Sequence, residues 1–336
     1  MISICKASPA ALCAIALIAV AALGRPTPVV AQTPNFHPCN SQPSLPICKY
    51  GYGKRVAIKR WGAQPEPLDP DAGIKAALAT KNPDAEIKKL KSSSMLVQDI
   101  DSGETLFARD ADISRPIASI TKLMMALVVV DSGLPLDEKL TVHADDRRTS
   151  SELPSRLPAG TVLSRSDLLY LALAASENTA ANTLGRTYPG GMEAFIEAMN
   201  NKAVALDMRD TKFSEPTGLS NENISSATDL VKLLHAASLR PLIQQFSTEL
   251  KYHAADQTFR NTNMLVGRSQ WEILVSKTGT TREAGDCLVM VINLEGRNLA
   301  VVVLNAQGRR GSRFGDAVRL RRIVSSTIET AAVSPE

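Results

Sequence analysis

The segment WEILVSKTGTTREAGDCLVMVINLEGRNLAVVVLN, residues 271–305, decides the fold that we predict for this chain. It contains three apolar runs rich in β-branched residues, at 273–276, 288–293 and 299–304. Residues typical of turns separate the runs, a pattern that predicts three consecutive antiparallel strands.

The first of these strands ends in Lys277-Thr278-Gly279, which suits contact with an extended peptide. Gly279 allows another backbone to approach closely, and the free backbone groups of a strand can pair with a substrate strand. Lys277 and Thr278 add charge and hydrogen bonds. Taken alone, the tripeptide is more often an ordinary strand end that leads into a turn, so its interpretation depends on the other motifs.

The composition is that of a globular protein with an aliphatic core. Of the 336 residues, 44% are hydrophobic and only 4% are aromatic. The formal net charge of +4 is too small to indicate a nucleic-acid partner. The four histidines have no metal-ligand spacing, and the chain has no glycine-rich phosphate loop. We therefore expect neither nucleic-acid binding nor a metal site.

Residues 1–31 are predicted to be a signal peptide. Lys6 precedes an apolar run at 9–23, and small residues precede Gln32. The run is shorter than the roughly 20 residues of a membrane span, so an uncleaved anchor is the less favoured alternative. We expect cleavage after Ala31 and export to the periplasm.

Residues 32–83 are predicted to be an extended basic arm, because they are rich in Pro, Gly and Gln and lack periodicity. The arm either contacts an anionic polymer or membrane surface or is a solvated tail, the second being favoured. Cys39 and Cys48 can close a small loop in an oxidising compartment. Cys287 falls in a predicted strand, where we expect a buried apolar filler rather than a nucleophile.

Residues 84–332 are predicted to form one folded α+β domain. A strand, a turn and a strand at 94–108 precede several helices, and the three strands of 271–305 precede a last helix. The predicted helices are at 117–130 after Pro116, 161–175 with Ser166 as cap, 192–205, 228–237 with Ser226 as cap, and 309–332. This order indicates an antiparallel sheet of about five strands flanked by helices, beside an all-helical region.

Ser119 and Lys122 form a Ser-x-x-Lys motif in the first turn of the helix at 117–130. Side chains three residues apart on a helix share a face. A serine hydroxyl becomes nucleophilic when a base takes its proton, and a lysine can be that base if burial lowers its pKa. The motif is weak by itself, because Ser3-Ile4-Cys5-Lys6 also matches it.

Ser176-Glu177-Asn178 is a Ser-x-Asn motif between two predicted helices. The Ser176 hydroxyl can relay a proton to a leaving amine, and the Asn178 amide can hold a substrate amide. Alone, this tripeptide is typical of a polar loop and helix cap.

Together, the order Ser-x-x-Lys, Ser-x-Asn, Lys-Thr-Gly on a buried helix, an inter-helix loop and a strand resembles the penicilloyl-serine transferase superfamily. The segments PIASITKLMMALVVVDSGLPLDEKL, SENTAANTL, EPTGLS and SKTGTTREAGDCLVM are similar to low-molecular-mass penicillin-binding proteins. The resemblance covers about residues 92–328 and implies a β-lactamase/transpeptidase-like fold. It does not extend to the arm that contains Cys39 and Cys48.

The resemblance implies a serine-type D-alanyl-D-alanine endopeptidase that hydrolyses peptidoglycan cross-links, with a D-alanyl-D-alanine carboxypeptidase as the alternative. Its expected partners are peptidoglycan stem peptides, its covalent inhibitors are β-lactams, and no cofactor is required. By the same resemblance, Ser119 forms an acyl-enzyme, Lys122 is the base, Ser176 and Lys277 assist the leaving group, and Asn178 holds substrate amide.

The third motif is implied to bind substrate. Lys277 and Thr278 would meet the acceptor side or a carboxylate, Gly279 would lie against the substrate backbone, and the N–H groups of Ser119 and Thr280 would form an oxyanion hole.

Several features leave alternatives open. Carboxypeptidase relatives often carry a β-rich domain and an amphipathic anchor at the C-terminus, whereas this chain ends soon after its last predicted helix, so we expect at most peripheral membrane contact. Arg313 can meet a terminal carboxylate, but a solvated helix-capping role is favoured. A β-lactamase is disfavoured because Glu215 does not fit the Glu-x-x-Leu-Asn spacing of that class. A non-catalytic β-lactam sensor or wall-binding module would not need the complete set of motif residues.

Overall fold

The computed structural model describes residues 82–147, 155–307 and 311–333, with side chains as far as residue 328. The predicted signal peptide and nearly all of the predicted arm, with Cys39 and Cys48, lie outside the described residues.

A five-stranded antiparallel sheet forms the centre of the described domain. Its strands are β1 (Ser92–Asp99), β2 (Thr105–Arg109), β9 (Glu272–Thr281), β10 (Gly285–Leu294) and β11 (Arg297–Ala306). They are arranged in the order β2-β1-β11-β10-β9, so β9 is an edge strand. The predicted α+β class and the predicted strands of 271–305 are therefore confirmed.

The remaining described elements are mainly helices. The helices are α1 (Pro83–Ile87), α2 (Thr121–Asp131), α3 (Arg165–Ala174), α4 (Asn178–Arg186), α5 (Gly191–Ala205), α6 (Ala227–Ser238), α7 (Pro241–Thr248) and α8 (Ser312–Val333), with short 3-10 turns at Ala118–Ile120 and Asp145–Arg147. Short strand pairs connect them: β3 (Arg115–Pro116) with β6 (Ile224–Ser225), β4 (Lys139–Thr141) with β5 (Val162–Ser164), and β7 (Lys251–Ala254) with β8 (Gln257–Arg260).

The sheet is buried on both faces, which explains why its strands are continuously apolar. Successive side chains of a strand point to opposite faces. Leu288 and Met290 accordingly pack in one cluster with Leu320 of α8, whereas Val289 and Val291 pack in the other cluster with the helical region. Burying each such side chain contributes roughly 1.5–3 kcal/mol. The sheet therefore lies between α8 on one face and α6 on the other, and the 3-10 turn that carries Ser119 contacts β9.

Helix α2 is buried on every side, since residues 121–129 are all buried, Lys122 included. A helix that is apolar all round belongs inside a protein. Among the described residues, no helix combines the length and the apolar character needed to cross a membrane.

Three local predictions are wrong at element boundaries. Pro116 does not start a helix; it pairs with Ile224 in the short strand β3, so the helix proper begins at Thr121. Ser164, not Ser166, caps α3, because residues 162–164 first pair with β4. Lys277-Thr278-Gly279 does not end β9, because pairing with β10 continues to Thr281.

Candidate active site

Ser119 and Lys122 meet at the start of α2. Ser119 lies in the 3-10 turn that precedes the helix, and Lys122 lies in the first helical turn. The Lys122 Nζ is 2.9 Å from the Ser119 Oγ, and the lysine side chain is fully buried. The Ser-x-x-Lys spacing therefore places an amine in direct contact with the hydroxyl.

The turn that holds Ser119 is strained and tightly enclosed. Ala118 has a φ of 48°, in the left-handed region that alanine rarely adopts. A Cβ on Gly218 would lie 1.9 Å from the Ala118 carbonyl oxygen, and one on Gly279 would lie 3.1 Å from the Ser119 nitrogen. Two glycines thus let the backbone approach the nucleophile turn from two sides, and sequence reasoning identified only Gly279.

Lys122 has three hydrogen-bond partners, and their chemistry fixes the direction of its lone pair. Its Nζ is 2.7 Å from Asn178 Oδ1 and 2.6 Å from the Thr217 carbonyl oxygen, in addition to Ser119 Oγ. Both of the first two oxygens can only accept. A neutral amine donates its two N–H groups to them, so its lone pair faces the Ser119 hydroxyl and can accept that proton.

Burial lowers the pKa of Lys122 to about 7, while the carboxylates of Glu215 and Glu177 act in the opposite direction. Neither carboxylate hydrogen-bonds to the amine within the described part of the chain. A substantial fraction of Lys122 is therefore neutral near pH 7, as a general base requires.

Glu215 organises the loop that supplies the Thr217 carbonyl. Its carboxylate accepts hydrogen bonds from the backbone N–H groups of Thr217 (2.7 Å) and Gly218 (2.6 Å) and from Asn223 Nδ2 (2.8 Å). Glu215 is absent from the residues that line the cavity beside Ser119. The side chain that sequence analysis compared with the β-lactamase glutamate is thus committed to holding a loop.

Ser176 and Lys277 form a second hydroxyl–amine pair. The Lys277 Nζ donates to Ser176 Oγ at 2.8 Å and to the Thr278 carbonyl at 2.9 Å. Burial lowers the pKa of Lys277 well below its usual range, and the cations of Lys122 and Arg313 lower it further. Ser176 has a φ of 59°, in the left-handed region, so the backbone is strained at this serine as well.

The edge of β9 offers backbone donors to the same site. The Ser276 N–H donates to Ser247 Oγ on α7, away from the sheet. Because alternate residues of a strand face the same edge, the N–H groups of Thr278 and Thr280 point to this open edge too. The Thr278 hydroxyl donates to Thr262 Oγ1 at 2.6 Å, which fixes its orientation.

A cavity of about 290 Å³ brings most of the predicted site residues together. Six of them line it: Ser119, Ser176, Asn178, Thr278, Gly279 and Thr280. The two remaining predicted residues, Lys122 and Lys277, are fully buried and reach the cavity through their hydrogen bonds to the two serines.

Arg313 also lines the cavity, and its predicted role as a solvated helix cap is wrong. Its side chain is only 13% exposed. Its Nη1 donates to the Gly279 carbonyl at 2.9 Å, to Asp286 Oδ1 at 3.0 Å and to the Thr280 hydroxyl. The arginine is held against β9 because Asp286 supplies a buried anion, a partner that the sequence pattern did not reveal.

Cys287 is fully buried beside the site, with a free thiol. Burial raises the pKa of this thiol to about 11. The prediction that it is an apolar filler is confirmed.

Comparison with known families supports the geometry. Residues 79–308 match the family model described as D-alanyl-D-alanine carboxypeptidase. The chain belongs to this family of serine peptidases.

Two relatives within the D-alanyl-D-alanine carboxypeptidase family are named D-alanyl-D-alanine endopeptidase. The protein from Escherichia coli is 45% identical over 80% of this chain and 86% of its own length. The protein from Pseudomonas aeruginosa is 46% identical over 73% of this chain and 80% of its own length.

Solved structures agree with the fold. The crystal structure of a Streptomyces DD-transpeptidase superposes with a TM-score of 0.66 at 26% identity, and the match covers 70% of this chain and 98% of that one. The predicted β-lactamase/transpeptidase-like fold is therefore confirmed.

Proposed function

We propose that this chain is a serine-type D-alanyl-D-alanine endopeptidase that hydrolyses peptidoglycan cross-links through an acyl-enzyme on Ser119. The observation that carries the proposal is the contact of 2.9 Å between the Ser119 hydroxyl and Lys122, whose two other partners accept its N–H groups. A hydroxyl facing the lone pair of a buried amine is an activated nucleophile.

In the acylation step, Lys122 takes the Ser119 proton and Oγ attacks the carbonyl carbon of the D-alanyl residue. The negative charge that develops on the carbonyl oxygen faces the N–H groups of Ser119 and Thr280. Each such donor typically contributes about 10²–10³ in rate. The Thr280 N–H is free for this role because it points to the open edge of β9.

The scissile carbon–nitrogen bond then breaks, and the leaving amine needs a proton. Ser176 donates it, because its hydroxyl lines the cavity and lies 2.8 Å from Lys277 Nζ. Lys277 then replaces the proton that Ser176 gives away, and Lys122 keeps the Ser119 proton until the ester is hydrolysed and returns it to the serine oxygen. Water next attacks the ester, releases the acyl peptide and restores Ser119.

The substrate lies as an extended peptide along the open edge of β9. Pairing with a sheet edge supplies main-chain hydrogen bonds, and Gly279 adds no side chain that would block the approach. The Asn178 carbonyl oxygen is held by Lys122 at 2.7 Å, so its NH₂ group remains for a substrate amide.

The endopeptidase assignment rests on relatives that carry this name at 45% and 46% identity. A Mycobacterium tuberculosis relative named as a carboxypeptidase is 30% identical. One structural feature favours carboxypeptidase activity as a second candidate: Arg313 lines the cavity, and a guanidinium suits a terminal carboxylate.

We further propose that the enzyme acts in the periplasm after removal of residues 1–31, and that β-lactams acylate Ser119. The signal-like pattern around the apolar run at 9–23 supports the location. Family membership supports stem peptides as substrates and β-lactams as covalent inhibitors.

The proposal is tested with two purified substrates, a cross-linked muropeptide dimer and a monomeric pentapeptide, followed by mass spectrometry. We expect the mature protein to convert the dimer to monomers, and benzylpenicillin to block the reaction. The Ser119→Ala protein serves as the control and should be inactive. Release of terminal D-alanine from the pentapeptide with an untouched dimer would favour the carboxypeptidase candidate instead.

A further inference from the structure

Arg156 lines the cavity beside Ser119 and takes no part in the acylation described above. Its guanidinium carbon lies 4.1 Å from the centre of the Phe259 ring, and that phenylalanine is buried. An arginine stacked in this way uses the face of its guanidinium and keeps the N–H donors at the edge of the group available. Among the described residues, no carboxylate pairs with this exposed side chain. It is therefore a positive charge that can bind an anion.

The backbone around Arg156 is held from two sides. Gln257 donates from Nε2 to the Arg156 carbonyl oxygen at 3.0 Å, which ties the segment to β8. Ser155 donates from Oγ to Glu177 Oε1 at 2.7 Å and accepts from the Leu157 N–H at 3.0 Å. These contacts join the segment both to β8 and to the Ser-x-Asn turn, so the position of Arg156 is set before a substrate binds.

Arg156 lies near the residue that protonates the leaving amine. The preceding residue, Ser155, contacts Glu177, and Glu177 directly follows Ser176, the proton donor assigned above. Strand β8, which carries the ring under Arg156, leads within two residues to Thr262, another residue that lines the cavity. The Glu177 carboxylate is itself buried and bonded to Ser155, so the exposed side chain at this end of the cavity carries a positive charge.

The two candidate leaving groups differ in charge away from the scissile bond. A leaving D-alanine has one carboxylate, next to the nitrogen that departs. The leaving stem peptide of a cross-link also has a carboxylate at that place, and it has further carboxylates along its length. A cation beside the leaving-group end of the cavity distinguishes the two, because only the longer peptide brings a second carboxylate to it.

We propose that Arg156 is a specificity-determining residue that binds a carboxylate of the leaving stem peptide, beyond the one beside the scissile bond. The inference rests on the proposed endopeptidase function and deepens it, since it names the part of the substrate by which the site prefers a cross-link. A planar guanidinium with free donors at its edge matches a carboxylate in geometry as well as in charge. Release of a single D-alanine does not use this contact.

The test measures kcat and KM for three substrates that share one acyl part: the unmodified cross-linked muropeptide dimer, the same dimer with the remote carboxylates of its leaving stem peptide amidated, and the monomeric pentapeptide. The carboxylate beside the scissile bond is kept in all three. In Arg156→Gln, we expect kcat/KM for the unmodified dimer to fall about tenfold, mainly through KM, and the values for the other two substrates to stay within about twofold of wild type.

Two further variants separate the charge of Arg156 from its packing. In Arg156→Met the side chain still covers the Phe259 ring without a charge, so the dimer should be cleaved as poorly as by Arg156→Gln. Arg156→Lys retains the charge and should restore kcat/KM for the dimer to within about threefold of wild type. Arg260→Gln is the matched control, because Arg260 is an exposed arginine next to Phe259 whose side chain points to the opposite side of β8. It should leave all three values unchanged.

A normal rate with the unmodified dimer in Arg156→Gln or Arg156→Met, an equal loss with all three substrates, or the same loss in Arg260→Gln would overturn the inference. Failure of the proposed function gives a different result, a wild type that cleaves neither dimer. The inference is then judged by competition against penicillin labelling: the unmodified dimer should compete about tenfold better than the amidated dimer in wild type, and equally well in Arg156→Gln. Equal competition in wild type would overturn it.

Discussion

The cavity beside Ser119 has two walls: a helical wall at the start of α2, with Ser119 and Lys122, and a sheet wall formed by β9 and by Arg313 of α8, which packs against β9. The two walls hold buried cations in opposite ways. On the helical wall, Lys122 touches a hydroxyl, an amide oxygen and a backbone carbonyl, all uncharged. On the sheet wall, Arg313 touches the carboxylate of Asp286. Burial without an anion destabilises the charged form, whereas burial with an anion retains it. The residue type and the bonding partner together therefore make Lys122 a base, whereas Arg313 stays charged and can bind an anion.

Lys277 shows that the hydrogen-bond partners of a buried cation, and not the secondary structure that carries it, decide whether its charged form is destabilised. It lies on β9 in the sheet wall, yet its hydrogen bonds go to Ser176 and to a backbone carbonyl. Its pKa is depressed like that of Lys122. We therefore group both lysines with the chemistry and Arg313 with recognition.

The largest effect that the helical wall predicts is that of Ser119→Ala. Peptide hydrolysis should fall by at least about 10⁴-fold, because no other group forms the acyl-enzyme. Covalent labelling by a fluorescent penicillin should be abolished. The midpoint of thermal unfolding should stay near that of the wild type, since only a hydroxyl is lost; retained labelling would refute the nucleophile assignment.

Lys122→Met tests the base and should slow acylation by roughly 10²–10⁴-fold. Methionine fills similar volume but accepts no proton from Ser119. The matched control is Lys139→Met, at an exposed position in β4, which should leave acylation unchanged. The measurement is the rate of penicillin labelling in stopped-flow or quench experiments; near-normal rates in Lys122→Met would assign the base elsewhere.

Gly279→Ala tests how closely the sheet wall must approach the helical wall. The added Cβ would lie 2.9 Å from the Ile117 carbonyl and 3.1 Å from the Ser119 nitrogen. Displacing the nucleophile by about 1 Å should reduce acylation by about 10²-fold, and overpacking should cost about 1–3 kcal/mol of unfolding free energy.

Gly315→Ala in α8 is the control for this substitution. There the new Cβ meets only the flexible end of Arg319, at 3.1 Å. Replacing a helical glycine by alanine should stabilise the protein by about 0.5–1 kcal/mol without loss of activity. Equal loss of activity in the two variants, measured with chemical denaturation and labelling assays, would show that the close approach at Gly279 is not special.

The smallest effect concerns Cys287, which lies beside the cavity but takes part in neither catalysis nor substrate recognition. In a Cys39→Ser and Cys48→Ser background, the native thiol should react with iodoacetamide at least about 100-fold more slowly than the unfolded chain, because it is buried with a pKa of about 11. Hydrolysis should stay within about twofold in Cys287→Ala. Rapid alkylation with loss of activity would contradict this assignment.

The sequence predicted the sheet and the motif residues because their signals are periodic or local. Apolar runs bounded by turn residues indicated β9–β11, and the order of three short motifs identified the residues that the structure brings into one cavity. The spacing of the motifs along the chain does not give the distances between their side chains in space. Only the structure shows that Asn178 and Ser119 share Lys122 as a partner.

The contacts and element boundaries that could not be predicted from the sequence depend on partners far away in the chain or on backbone atoms. The Thr217 carbonyl has no sequence signature, and Gly218 is needed because its φ is +83° and because the Ala118 backbone passes beside it. Arg313 was predicted to face solvent because its partner Asp286 lies 27 residues earlier in the chain, and no local sequence pattern connects the two residues. The cap of α3 was misplaced because pairing of β5 with β4 extends the strand to Ser164.

The most direct test of the account is the pH dependence of acylation by benzylpenicillin. Lys122 must be neutral to act as the base, and its pKa is about 7, so the second-order rate constant should rise with pH and level off around a midpoint of about 7. The Lys122→Met protein should lose this dependence. A wild-type rate that keeps rising to about pH 10, where an unperturbed lysine titrates, would contradict the claim that uncharged partners and burial make this lysine a base.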